Sequence, residues 1–171
     1  MKQAIAGVSP PDVSEATIMT VWPTLASTAP GRFLGRLYGI RVGIGWLTVG
    51  KIIALMSIPV ALGLFFWMLL PGIVLRYRLT NRRVLIEKCR ALPWAKTAWV
   101  EQQYVDLGRF DSIEVDVRPG QQWYPAGDLI FRNGQIETFR LDGVSRPETF
   151  KRTCLKARHG YMGVRDALAR V

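Results

Sequence analysis

The stretch Ile52-Ile53-Ala54-Leu55-Met56-Ser57-Ile58-Pro59-Val60-Ala61-Leu62-Gly63-Leu64-Phe65-Phe66-Trp67-Met68-Leu69-Leu70-Pro71-Gly72-Ile73-Val74-Leu75 carries no charged side chain, and Arg76, Arg78, Arg82 and Arg83 follow at once. At about 1.5 Å per helical residue, such a run covers a hydrocarbon core of roughly 30 Å. The sequence therefore predicts a membrane anchor, and the segments on either side are read from that starting point.

Working outward, the apolar zone extends over residues 42–75, broken only by Lys51. It exceeds one span and is short for two, since each needs about 17 to 25 residues. Two topologies fit: a tight helical hairpin turning at Ser57-Ile58-Pro59, or one long span kinked at Pro59. The hairpin keeps Arg32, Arg36 and Arg41 on the same side as Arg76 to Arg83, as the positive-inside bias requires. Gly43, Gly45 and Gly50 read as close-packing positions between membrane helices.

Ahead of it, residues 1–41 are rich in Pro, Ser and Thr. They lack the apolar core of a secretory signal, so the internal apolar zone is expected to persist as an uncleaved anchor. Near their end, Phe33, Leu37, Ile40 and Ile44 fall at helical spacing, with Arg32 and Arg36 on another stripe. That pattern suits an interfacial helix or one packed on the following domain.

Behind it, residues 76–171 read as a β-rich domain closed by a helix. Tyr77 to Ile86 gives two strands joined at Asn81-Arg82, and Trp99 to Leu107 a third. Ile113, Val115 and Val117 alternate with Glu114, Asp116 and Arg118, which points the apolar set inward. Two further strands flank Asn133-Gly134, a strong hairpin signal. Ser145-Arg146-Pro147-Glu148 fits a capping box. Phe150, Cys154, Ala157 and Tyr161 then form the buried stripe of a helix, with Gly160 as its expected C-cap.

The formal charge is +10, and residues 76–171 hold 18 Lys or Arg against 11 Asp or Glu. A basic flank facing an anionic leaflet accounts for this without nucleic acid. Cys89 and Cys154 are isolated, with no metal-ligand spacing around them, and no cofactor is implied. His159 is the sole histidine and reads as a helix C-terminal residue. Glu114 and Asp116 share one strand face, but it is the solvated one. Nothing in the sequence requires catalysis, and the chain is read as not an enzyme.

Several residues remain as binding candidates. Arg76, Arg78, Arg82 and Arg83 are expected to contact lipid headgroups, while Trp94, Trp99, Trp123 and Tyr124, in or beside loops, are candidates for a partner.

Four motifs in order carry a resemblance: Tyr77-Arg78-Leu79-Thr80-Asn81-Arg82-Arg83-Val84, Asp106 to Ile113, Ala126 to Phe131, and Leu141-Asp142-Gly143-Val144-Ser145-Arg146-Pro147-Glu148-Thr149-Phe150. Together they make residues 76–158 similar to the bacterial pleckstrin-homology-like, or membrane-flanked, domains. The resemblance implies a seven-stranded antiparallel barrel or sandwich plugged by a C-terminal helix. Six strands are visible in the pattern, so one is missing from it, and Lys88 to Ala98, with Pro93 and Trp94, is where a strand or a long loop is expected. The expected fold class is thus an α+β membrane protein with an N-terminal transmembrane helical segment before a PH-like domain. The expected function is a non-catalytic scaffold on the cytoplasmic face of a bacterial inner membrane, bound to membrane lipids and a membrane-protein partner. The alternative is an anionic-lipid-binding module without a protein partner.

Overall fold

Gly134 adopts φ +60°, a conformation that costs glycine little, and lets the chain reverse between Asn133 and Ile136, which pair across the turn. A computed structural model describes residues 15–44, 47–92 and 95–168. Its elements run β1 (Thr17–Val21), a 3₁₀ turn (Leu25–Ser27), α1 (Ala29–Tyr38), β2 (Gly43–Ile44), β3 (Leu47–Thr48), α2 (Val49–Met56) and α3 (Ile58–Leu69). Then follow β4 (Leu75–Thr80), β5 (Arg83–Leu92), β6 (Ala95–Asp106), β7 (Ser112–Asp116), β8 (Ala126–Asn133), β9 (Ile136–Ser145) and α4 (Pro147–Leu168).

The strands form antiparallel sheets of order β1-β4-β5-β6 and β7-β8-β9, with β2-β3 as a small ribbon. Tyr77, Leu79, Val84, Val105 and Leu107 of the first sheet meet Ile113, Leu129, Phe131, Phe139, Leu141 and Val144 of the second. Phe150 and Cys154, both fully buried, plug this core from α4.

Lys88–Ala98, the expected place of a further strand or a long loop, holds neither as a separate element among its described residues. Residues 88–92 extend β5, and 95–98 open β6. The seventh strand of the two larger sheets is β1, from the N-terminal segment, paired from Val21↔Tyr77 to Thr17↔Thr80. The apolar zone is therefore inserted between two neighbouring strands of one sheet.

The expected transmembrane segment is corrected. Among the described residues no single helix is long and apolar enough to cross a membrane. At 1.5 Å per residue, α2 and α3 reach roughly 12 and 18 Å, each short of a 30 Å core. They qualify only as a pair, and that pair is bent by 58°. The bend falls at Ser57, with Pro59 in the first turn of α3, where the missing proline N–H breaks the helical ladder. The chain thus breaks at Ser57-Ile58-Pro59, where the sequence placed a hairpin turn or a kink, but it forms two short helices bent by 58° and neither a hairpin of two spans nor one long span. Both ends return to the β domain, so the fold is α+β: two antiparallel sheets with a C-terminal helix, and a bent helical strap between β1 and β4.

Three local expectations also change. Arg146 takes φ +50°, so Ser145 closes β9 instead of capping, and the helix starts at Pro147. Gly160 does not end that helix, which continues to Leu168. In α1 the buried stripe is Gly31, Leu34, Gly35 and Tyr38, while Phe33 is left exposed.

Candidate functional site

The arginines after the apolar run do not form a free cationic cluster. Arg76 and Arg78 leave β4 on one face and converge on Glu87 of β5, at 2.5 and 2.6 Å. Glu87 is almost fully buried, so the pair of guanidiniums satisfies a carboxylate that would be costly alone. Arg76 also lies 4.0 Å above the Trp99 ring, which meets Trp22 edge-on at 5.5 Å. Arg83 bridges Glu15 and Glu101 at 2.9 and 3.1 Å. Its hydrogen bond to Glu15 holds that carboxyl below the ordinary range. Arg82 sits partly exposed at the β4–β5 turn.

The aromatic candidates separate in space. Trp99 belongs to the Arg76 stack, whereas Trp123 lies on the loop between β7 and β8, half-exposed and edge-on to Tyr38 of α1 at 5.5 Å. Tyr124 is partly buried beside it, and burial raises its phenol pKa. Trp94 lies outside the described residues.

A buried polar cluster fixes that loop. Asp128, fully buried in β8, accepts from Gln121 Nε2 at 2.6 Å and from the Gly143 N–H at 2.7 Å. Arg118 Nε stands 2.8 Å from the other carboxylate oxygen, off the hydrogen-bonding line. Gln121 in turn accepts the Arg118 N–H at 2.8 Å. Tyr77 donates its hydroxyl to the Asp142 carbonyl. Burial, with the nearby Asp128 charge, pushes the Asp142 carboxyl up. This cluster is structural: every group in it orients a neighbour.

Held in this way, the loop meets α1 backbone to backbone. A Cβ on Gly35 would fall 2.0 Å from the Gly120 carbonyl oxygen, and one on Gly120 (φ +95°) 2.0 Å from that of Arg32. At the other end of α1, Gly50 of α2 donates its N–H to the Ile40 carbonyl. The glycine expected to serve helix–helix contact in a membrane thus roots α2 on α1.

Between these elements opens a groove of about 690 Å³, lined by Arg36, Arg41, Lys51, Pro119, Gln122 and Trp123 among others. Arg36 donates through Nε to the Pro119 carbonyl at 3.2 Å. Of the sequence candidates only Trp123 lines it. The three bases converge through tertiary packing alone, since they come from α1, the segment after it and α2; their separate positions in the sequence carry no signal of this.

The strap itself is the other unusual surface. No residue of α3 is buried. Leu55, Met56, Val60, Phe66 and Trp67 are between 57% and 76% exposed, far beyond the scattered apolar residues of an ordinary surface. Behind α3, Trp22, Leu25, Phe65, Met68, Leu69 and Ile73 line an apolar cleft of about 360 Å³.

Compared with known protein families, curated proteins and solved structures, the chain matches none.

Proposed function

We propose that this chain is a non-catalytic interaction module seated on the cytoplasmic face of a bacterial inner membrane, PH-like in its β domain. The carrying observation is the strap: α3 has no buried side chain, yet both ends of the α2–α3 pair are rooted in the folded domain. A helix apolar all round finds its lowest free energy in lipid or protein, not water. Bent and tied at both ends, the pair lies in one leaflet as an in-plane wedge instead of crossing the bilayer. Seven strands in two sheets with a closing helix support the PH-like reading.

The partner is a strand-forming segment of a membrane protein, received at the outer edge of β6. That strand ends its sheet, and Glu101, Gln102, Gln103 and Tyr104 are exposed. Its backbone is available for strand addition, and its polar side chains guard it against self-association.

Membrane fractionation of the full chain tests the seating. The protein is expected in the carbonate-washed pellet and to be released by detergent, whereas a Leu62→Asp/Phe66→Asp/Trp67→Asp variant moves to the supernatant. Recovery of the wild type as a detergent-free dimer in the supernatant would assign the strap to a second copy and end the membrane reading. A photo-crosslinker at Gln103 is expected to trap a protein in native membranes where one at Arg152 does not; equal or no adducts remove the partner.

A further inference from the structure

We propose that the apolar cleft between α3 and residues 22–28 takes one acyl chain of a bilayer phospholipid, so that a single lipid is gripped beneath the strap. The inference rests on the membrane seating above and adds what the inner face of the strap binds.

The lining is the first argument. Trp22, Leu25, Phe65, Met68, Leu69 and Ile73 supply the apolar walls, and no charged side chain lines the cleft. Of the hydroxyls there, Thr24 donates to the Gly143 carbonyl at 3.1 Å and Thr28 to the Leu25 carbonyl at 2.8 Å, which leaves water few partners. Packed interiors hold few voids larger than a water molecule, so about 360 Å³ of apolar space calls for an occupant. An apolar cavity of roughly 150 Å³ takes a six-carbon ring, and in proportion this one takes about fourteen carbons. That is the size of a lipid tail.

The strap cannot settle into the space itself, because α3 is tied elsewhere at both ends. Its start is held at Ser57, which meets Tyr38 of α1. Just past its end, Gly72 donates to the Cys89 carbonyl at 2.8 Å, and Cys89 donates to that of Val74 at 3.0 Å. The cleft is thus preformed, which spares an entering chain the cost of opening it.

The mouth decides where that chain comes from. Trp22, Phe65 and Leu69 are 48%, 46% and 50% exposed, so the cleft opens into the medium that receives Phe66 and Trp67 of the same helix. A tail passes from the leaflet into it without crossing water. No basic side chain lines the cleft to meet a free carboxylate. The headgroup therefore stays in the interfacial layer, and the occupant is a phospholipid tail, not a fatty acid.

The test uses the full chain in phosphatidylcholine vesicles doped with a phosphatidylcholine that carries a diazirine near the end of one acyl chain. After irradiation, adducts are expected on Leu25, on the domain side of the cleft, as well as on Phe66 and Trp67 of the strap. Met68→Trp fills the cleft from a helix with no buried side chain. It is expected to abolish the Leu25 adducts while those on Phe66 and Trp67 persist. Leu62→Trp adds bulk to α3 outside the cleft and is expected to change neither. Leu25 adducts that survive Met68→Trp, or fall equally in Leu62→Trp, overturn the cleft site. Wild-type adducts confined to Phe66 and Trp67 also overturn it and assign the cleft to a protein occupant, leaving the seating intact. Absence of adducts from all three residues overturns the seating and this inference with it. A diazirine fatty acid at the same mole fraction is expected to label Leu25 no more strongly than the phospholipid; stronger labelling assigns the cleft to a free fatty acid instead.

Discussion

Tyr38 Oη lies 2.5 Å from Ser57 Oγ, which ties the bend of the strap to the buried face of α1. The serine hydroxyl also reaches the Ala54 carbonyl at 3.1 Å. Having one proton, it donates there and accepts from the tyrosine. Because the Tyr38 ring also meets Trp123, a single side chain links the apolar strap to the aromatic loop.

Tyr38→Phe keeps the ring and removes only the donor. Stability is expected to fall by about 1 kcal/mol, with faster hydrogen exchange concentrated in α2 and α3. Combined with Ser57→Ala in a double-mutant cycle, the two changes should be clearly non-additive. Additive losses with uniform exchange would show that the hydroxyl pair does not hold the bend.

Glu87→Gln retains the shape of the carboxylate while stripping its charge from between Arg76 and Arg78. Removing one partner of a buried ionic group is expected to cost about 2–4 kcal/mol; the partial exposure of both arginines favours the lower end. Denaturant unfolding reads this directly. A loss within about 0.5 kcal/mol, the scatter of ordinary surface changes, would mean that the two guanidiniums are hydrated well enough to do without it.

Gly160 lies mid-helix in α4, and a Cβ there would meet nothing within 4 Å. Gly160→Ala is accordingly expected to stabilise the fold by about 0.5–1 kcal/mol, through helix propensity and reduced freedom of the unfolded chain. A fall in the melting temperature would instead indicate that α4 breaks at this point.

Burial in the core pushes the Cys154 thiol up to about 12, from an ordinary value of 9.0. Burial raises the Tyr77 phenol in the same direction. In both cases the folded state retains a proton that the unfolded chain gives up first. Their contribution is complete below pH 9, declines as pH rises through the unfolded values, and is gone above the folded ones. Unfolding free energy should thus drop steeply above pH 9, and Cys154→Val should flatten that slope. The thiol should also resist alkylation at pH 8 until the protein unfolds.

What the sequence revealed was local. The Asn81-Arg82 turn, the inward Ile113 and Val115 of β7, the Asn133-Gly134 hairpin and the Phe150–Cys154–Ala157–Tyr161 stripe all depend on neighbours a few residues apart, and each is present; Val117, expected inward as well, lies beyond the end of β7 and is exposed. β1 was invisible because Thr17 to Val21 alternates weakly amid Pro, Ser and Thr, and its partner β4 lies more than fifty residues on. The apolar run was misread for a related reason. Composition states that a segment avoids water, and Ser57-Ile58-Pro59 marked where it breaks, but that the two pieces are short, bent by 58° and tied to α1 is decided by tertiary contact. The basic groove was equally hidden, since Arg36 and Trp123 become neighbours only through the contact of Gly35 with Gly120.

The placement of β1 imposes an order on synthesis. The first strand emerges from the ribosome before the greasy insert, and its mate only afterwards, so the larger sheet stays incomplete until the entire insert has been made. Closing so long a loop is slow compared with forming the later hairpins. During that interval the insert is the most water-averse part of the nascent chain. Finding its final medium and completing the sheet are therefore one event in assembly, and a polypeptide lacking the first two dozen residues would present β4 as a raw edge.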